Sequence, residues 1–342
     1  MTLLTGENDH GRRLDRILRK ALPECPLPLI HKLLRKGHIL VNGKPAGAQT
    51  RVLKGSKINI PRLSAGKIAK KSIKIDTPKI KKPSHAPSKT PKKEPEKPLK
   101  SIKSNRPALS VRFYHPPEIL WQDSGLIAFN KPSGLAVHGQ VSLDRMVQAF
   151  LINKLPPSLS FKPGPLHRLD KPSSGIVVFS SSLEGANFFS NLMKEQKIKK
   201  TYIAIVEGTV ANKHFWTDYL IRDKEKKKSF IVKNDEQGTE DKIGKIAITM
   251  VKPLAAAQIK DKPYTLIEAE IETGRTHQIR TQSSFHGHPL AGDIKYGGHA
   301  FTGGFYLHSW KMEFTLPENK VVKIEAPLPA EFQKLVSKVF GF

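Results

Sequence analysis

A single cysteine, Cys25, stands among 342 residues. One thiol excludes an internal disulfide framework and any zinc site built on several thiolates, and it fits a reducing compartment. Long apolar runs are missing too. No stretch reaches the roughly 18 apolar residues of a membrane-spanning helix, and no basic amphipathic segment is long enough to anchor the chain on lipid. Met1 to Arg13 carries no apolar core of the kind a secretory signal requires, so a cytoplasmic protein is expected. The 13 histidines form no His-x-x-x-His pair supported by acids, which argues against zinc hydrolysis. Gly238 and Gly244-Lys245 are spaced too widely for a phosphate loop, with Ile246 where its hydroxyl would stand. Ser173 and Ser174 lack the Gly-x-Ser-x-Gly elbow of a nucleophilic serine. No internal repeat recurs at a fixed period.

Negative charge is also scarce. Against 30 Asp and Glu stand 58 Lys and Arg, a net charge of +28. Such an excess favours a polyanionic partner through counterion release and electrostatic steering. Hydrophobic residues make up 38%, low for one compact globule, so part of the chain is expected to be non-globular.

Composition divides the chain in three. Residues 1–62 hold 13 basic and 4 acidic residues. Leu14, Ile17, Leu18, Ala21 and Leu22 recur at helical spacing among Arg12, Arg13, Arg16, Arg19 and Lys20, and Pro23 and Pro26 close that helix. A second helix carries Leu29, Ile30, Leu33 and Leu34 beside Lys32, Arg35 and Lys36, with Gly37 placed to end it. Ile39 and Val41 lead into an Asn42-Gly43 hairpin turn, and Ile58 and Ile60 resume a strand pattern. Residues 63–106 alternate Lys and Pro with 14 basic and 3 acidic residues and no aromatic ring. Nothing there offsets the entropy of ordering, so a disordered linker that adds affinity for phosphate is expected. Residues 107–342 carry the aromatic residues and read as an α+β domain with a mixed, mostly antiparallel sheet. Strands are expected at Leu126 to Phe129, Ile176 to Phe179, Tyr202 to Val206, Ala247 to Val251 and Leu266 to Ile271. One helix bears Leu143, Met146, Val147, Phe150 and Leu151. Another bears Leu183, Ala186, Phe189, Leu192 and Met193 behind a capping box of Ser181 and Glu184.

The segment His167-Arg168-Leu169-Asp170-Lys171-Pro172-Ser173-Ser174-Gly175 places one carboxylate between two cations, beside a Ser-Ser-Gly turn and ahead of an apolar run. A carboxylate so flanked stays ionised, which suits a nucleophile or an electrostatic anchor; a loop salt bridge is the plainer reading. Three further segments change the balance: Asn130-Lys131-Pro132-Ser133-Gly134, Lys200-Thr201-Tyr202-Ile203-Ala204 and Gly274-Arg275-Thr276-His277-Gln278-Ile279-Arg280, followed by Gly287-His288-Pro289-Leu290 and Gly292-Asp293 to Tyr296-Gly297.

In that order these motifs resemble the RluA-type pseudouridine synthases, over residues 117–330. The two short basic helices, with Leu34-Arg35-Lys36-Gly37 and Val41-Asn42-Gly43-Lys44, resemble the S4 RNA-binding fold that accompanies members acting on large-subunit ribosomal RNA. The resemblance implies isomerisation of uridine in RNA to pseudouridine without cofactor or metal, with 23S rRNA or its precursor as partner and no membrane association; a monomer is expected. It implies Asp170 as the catalytic carboxylate, acting as a nucleophile at C1′ or C6 or as a base at C2′. Tyr202 then packs on the target base and is placed for proton transfer, although a tyrosine near its ordinary pKa is a poor base. The resemblance further implies that Arg280 ion-pairs with Asp170, and that Arg168 fills the space left by the extruded base or contacts phosphate. Arg275 binds phosphate from the start of a helix or is a plain surface charge. His167, Lys131, Arg35 and Lys36 complete the RNA-binding candidates, with Lys131 and His277 suited also to supporting backbone. Two departures stand out: Pro172-Ser173 where the family has a non-proline residue and threonine, and Thr281-Gln282 where it has Val-His. A tRNA-modifying synthase and a non-catalytic ribosome-assembly factor are the alternative readings, and the intact Asp170, Tyr202 and Arg280 set argues against the second.

Overall fold

A computed structural model describes residues 1–61, 118–232, 244–301 and 304–341. The expected linker, 63–106, and the start of the third segment at 107 lie outside the described residues.

Near the N-terminus, helices Leu14–Ala21 and Leu27–Arg35 pack on a four-stranded antiparallel sheet in the order Thr2–Leu4, Lys57–Asn59, Leu40–Val41, Lys44–Pro45. The apolar positions read at helical spacing form the core: Leu14, Ile17, Leu18, Ile30 and Leu34 meet Ile39, Val52, Ile58 and Ile60. Asn42 and Gly43 both have positive φ, as a tight hairpin turn demands, and Gly37 turns the chain out of its helix with φ +69°.

An 11-stranded, mostly antiparallel sheet dominates the rest. Its path runs Lys228–Val232, His214–Asp223, Lys245–Ile259, Lys262–Ile271, Lys199–Glu207, Leu307–Thr315, Ser174–Ser180, Leu126–Lys131, Ile119–Asp123. Ser174–Ser180 and Leu307–Thr315 run parallel; their other neighbours on this path are antiparallel. The central strands read as continuous apolar runs because both faces are covered. Ile127, Phe129, Val177 and Phe179 point into a core shared with the helix Leu143–Leu151, while Leu126, Ala128, Ile176 and Val178 point into one under the helix Leu183–Lys194. Tyr202, Ala204, Ile279 and Leu307 belong to the first of these cores, so the candidate residues gather on that face.

The structure corrects one cap. The second helix is capped by Ser182, whose Oγ accepts from Gly185 N–H at 3.0 Å, and not by Ser181, whose N–H instead donates to the Gly125 carbonyl.

Candidate active site

The loop ahead of the Ser174–Ser180 strand is held from several sides. Val178 N–H donates to His167 Nε2 at 3.0 Å, and the imidazole stacks over Phe189. Burial, helped by the charge of Lys200, pushes His167 down to about 4, so the ring is neutral with its proton on Nδ1. Ser173 N–H closes a turn onto the Asp170 carbonyl. The fully buried Lys131 donates from Nζ to the carbonyls of Pro132, Leu135 and Lys171, while Ser133 Oγ donates to the Pro172 carbonyl at 2.6 Å. Desolvation lowers Lys131 to about 8 against the pull of Asp170. Ser174 Oγ meets His308 Nδ1 at 2.8 Å, and His308 Nε2–H donates to the Ala326 carbonyl, which makes Ser174 the donor to Nδ1.

Within this frame Asp170, 16% exposed at its side chain, turns Oδ2 to Arg280 Nη1 at 2.9 Å. Arg280 directs Nε and Nη2 at the two oxygens of Asp293, at 2.7 and 2.8 Å, and its guanidinium lies between the rings of Tyr296 and Phe305. Burial opposes its charge, but the two carboxylates outweigh burial and raise its pKa. His277, in the left-handed region at φ +58°, carries Nε2 to 3.6 Å from Asp170 Oδ1. Its Nδ1 lies 2.7 Å from the Tyr296 hydroxyl, which already accepts Ser229 N–H. Arg222 Nη1, which can only donate, also points at Nδ1, so Nδ1 is the acceptor, the hydroxyl proton goes to it, and the ring proton sits on Nε2, facing Asp170. Desolvation drives His277 to about 4 despite Asp170, so it is neutral. Tyr202 lines the same pocket beside Leu169, Ile271 and Leu307. Burial, then the Asp170 charge, pushes its phenol up to about 12.

The structure thus brings Asp170, Tyr202 and Arg280 together in one pocket, with Arg168 exposed at its edge and Arg275 on its wall. Arg275 precedes the helix Gln278–Phe285, which His277 caps, so it does not start that helix; its Nε–H donates to the Ile246 carbonyl. Lys131 is not placed to touch RNA, because its ammonium is turned onto backbone carbonyls inside the fold, while His167, half-buried, commits Nε2 to the Val178 N–H. Arg35 and Lys36 are exposed at the end of the helix Leu27–Arg35 in the N-terminal module, outside the pocket. Asp293, Tyr296 and His308 have no assigned role in the sequence; the Gly292-Asp293 to Tyr296-Gly297 pattern is a signal for the first two and not for His308. The Gln282 departure is fully accommodated: its Nε2 donates to Asp218 Oδ2 at 2.7 Å and its Oε1 accepts from Thr249 Oγ1 at 2.6 Å. Thr281 Oγ1 is buried without a partner among the described residues. Among the described residues no group of three or more His, Cys, Asp or Glu is arranged to hold a metal ion.

Residues 125–285 match the RNA pseudouridylate synthase family, and residues 12–58 match the S4 domain. The chain is 28% identical to the ribosomal large subunit pseudouridine synthase C of Pasteurella multocida (strain Pm70), an alignment covering 98% of this chain and 92% of that one. It is 30% identical to the ribosomal large subunit pseudouridine synthase D of Borreliella burgdorferi, over 66% of this chain and 69% of the relative. In fold it is similar to human RNA Pseudouridylate Synthase Domain Containing 4, with a TM-score of 0.52 and 21% identity over 64% of this chain and 92% of that one.

Proposed function

The chain belongs to the RNA pseudouridylate synthase family, and from that premise we propose that it isomerises uridines of 23S rRNA, with Asp170 as the catalytic carboxylate on an extruded base. The Asp170–Arg280–Asp293 array beside Tyr202 is the observation that carries this reading. The large-subunit substrate is drawn from the relatives' names. Residues 1–62 and the basic linker 63–106 would grip RNA while 107–342 hold the reacting nucleotide.

The reaction breaks the C1′–N1 bond, turns the uracil while it is held, and joins C5 to C1′; the C5 proton leaves and N1 ends protonated, so the nucleotide keeps its composition. Arg280 occupies Oδ2 of Asp170, which leaves Oδ1 as the oxygen free to meet the sugar–base junction. With its pKa near 12, Tyr202 stays a phenol at neutral pH. It therefore serves as a surface for the base and an O–H donor, and not as a resting tyrosinate base. A stacked uridine reaches this pocket only by leaving its helix, and Arg168, which borders the pocket, would fill the gap or hold a phosphate.

The test is pseudouridine mapping after incubation with an unmodified 23S rRNA transcript. The wild type is expected to modify discrete uridines, and Asp170→Asn to bind the transcript with modification at background. Modification of tRNA alone would overturn the ribosomal substrate, and activity persisting in Asp170→Asn would overturn the role of Asp170.

A further inference from the structure

Beside the Asp170 pocket lies a second concavity, an open groove of about 380 Å³. Arg222 from the strand His214–Asp223, Lys245 from Lys245–Ile259 and Arg275 from the turn before His277 line it. Among the described residues, no carboxylate lies within ion-pair distance of these three cations. Arg222 instead aims Nη1 at His277 Nδ1 at 3.3 Å, and Arg275 donates to the Ile246 carbonyl. Three like charges in one groove repel one another unless an anion joins them. Guanidinium groups are also shaped to take the oxygens of a phosphate two at a time. Among the described residues no aromatic ring lines the groove, so they offer a base nothing to stack on. Arg275 belongs to both walls, which makes the groove continuous with the pocket that holds Asp170 and Tyr202.

We propose that this groove is a phosphodiester subsite, seating a backbone phosphate of the substrate RNA that flanks the nucleotide entering the Asp170 pocket. The inference rests on the RNA-modifying function proposed above. It gives the groove a second consequence. A phosphate drawing Arg222 outward relaxes the contact to His277 Nδ1, on the ring whose Nε2 faces Asp170, so seating the backbone and setting the reacting carboxylate are linked through one imidazole.

The experiment compares the full-length wild type with Lys245→Gln and Lys260→Gln, measuring binding of the unmodified 23S rRNA transcript against salt and pseudouridine formation against RNA concentration. Lys245 is exposed, so its neutralisation leaves the fold intact. Lys260 lies in the turn at the other end of the same strand, up to about 50 Å away at roughly 3.3 Å per residue and far beyond the screening length. Lys245→Gln is expected to raise KM about three- to tenfold, with the slope of log affinity against log salt shallower by about 0.7–0.9, one phosphate contact. Lys260→Gln is expected to match the wild type in both. Equal shifts in the two variants, or an unchanged slope in Lys245→Gln, would overturn the subsite. A wild type that binds the transcript yet forms no pseudouridine overturns the proposed function instead, and the binding slope of Lys245→Gln then still decides the groove.

Discussion

Arg280 gives one nitrogen to Asp170 and two to Asp293, so the group that fixes the proposed catalytic carboxylate is itself fixed by a buried partner, 2% exposed. Replacing Asp293 by Asn leaves the shape but removes the charge, and breaking a buried pair of this kind costs about 3 kcal/mol. The guanidinium is then free to swing, and a misplacement of Asp170 on the ångström scale lowers kcat by up to about a hundredfold. Denaturant unfolding and single-turnover assays on Asp293→Asn check both; a kcat equal to that of the wild type would show that Asp293 does not position Arg280. Protons enter at His308, fully buried and lowered by desolvation to about 4 from 6.5. The unfolded chain binds this proton below about pH 6.5 and the folded chain does not, so stability is full above that pH and falls as the pH drops toward 4, by roughly 3 kcal/mol at most from this one ring. Chemical denaturation at pH 7 and pH 5 should show the loss, and His308→Asn should shrink the difference without abolishing it, since His167 and His277 are also lowered to about 4 and contribute over the same range. That Asp170, Tyr202 and Arg280 share one pocket was legible in sequence because each lies in a segment that resembles a motif of the family. His308 was not, since a histidine in a strand reads the same whether it bonds a carbonyl or nothing at all.

Elements explain why other parts were hidden. The helix Gln278–Phe285 carries Arg280, yet Gln278, Arg280, Thr281, Gln282 and Ser283 are all buried, so no polar face alternates with an apolar one and the helical period vanishes. Its polar groups are mostly satisfied sideways, by Thr273, Thr249 and Asp218 in the adjoining strands and turn. The strand His214–Asp223 was also missed, because Phe215 faces solvent on a half-covered part of the sheet. By contrast, Ser174–Ser180 was plain from its apolar run, and its start depends on Gly175. That residue has φ +106°, and a Cβ there would lie 2.2 Å from the Ser309 carbonyl on the parallel neighbour. Gly175→Ala must therefore bend the backbone or push Ser309 away, a cost of about 1–3 kcal/mol from the strained torsion alone. The strand follows the Asp170 turn directly, so activity should fall along with the melting temperature. A variant with unchanged melting temperature and full turnover would show that the two strands separate without consequence for the site.

At the scale of the whole molecule, the N-terminal module is fastened to the synthase body by a buried carboxylate. Asp9 accepts from Ser158 Oγ, Ser160 Oγ, Leu159 N–H and Ser160 N–H at 2.6–3.1 Å, Arg12 donates to Ser160 Oγ at 2.9 Å, and Asn8 Oδ1 accepts Leu183 N–H at 2.8 Å. Burial penalises the Asp9 charge, but these hydrogen bonds prevail and lower its pKa, so the clasp is charged at neutral pH. Leu159 adds an apolar contact to the module's core. A module held this way presents Arg35 and Lys36 at a set position relative to the Asp170 pocket, and if both bind RNA as proposed, two weak contacts would join into one stronger one. Asp9→Ala removes the acceptor of four hydrogen bonds across the junction while leaving both cores intact. It is expected to raise the radius of gyration in solution scattering and to lower kcat/KM for the 23S transcript about tenfold. An oligonucleotide too short to reach the module should be modified at the wild-type rate. Equal losses on the long and the short substrate would mean that the Asp9 clasp supports the catalytic body and does not align the two RNA-binding parts.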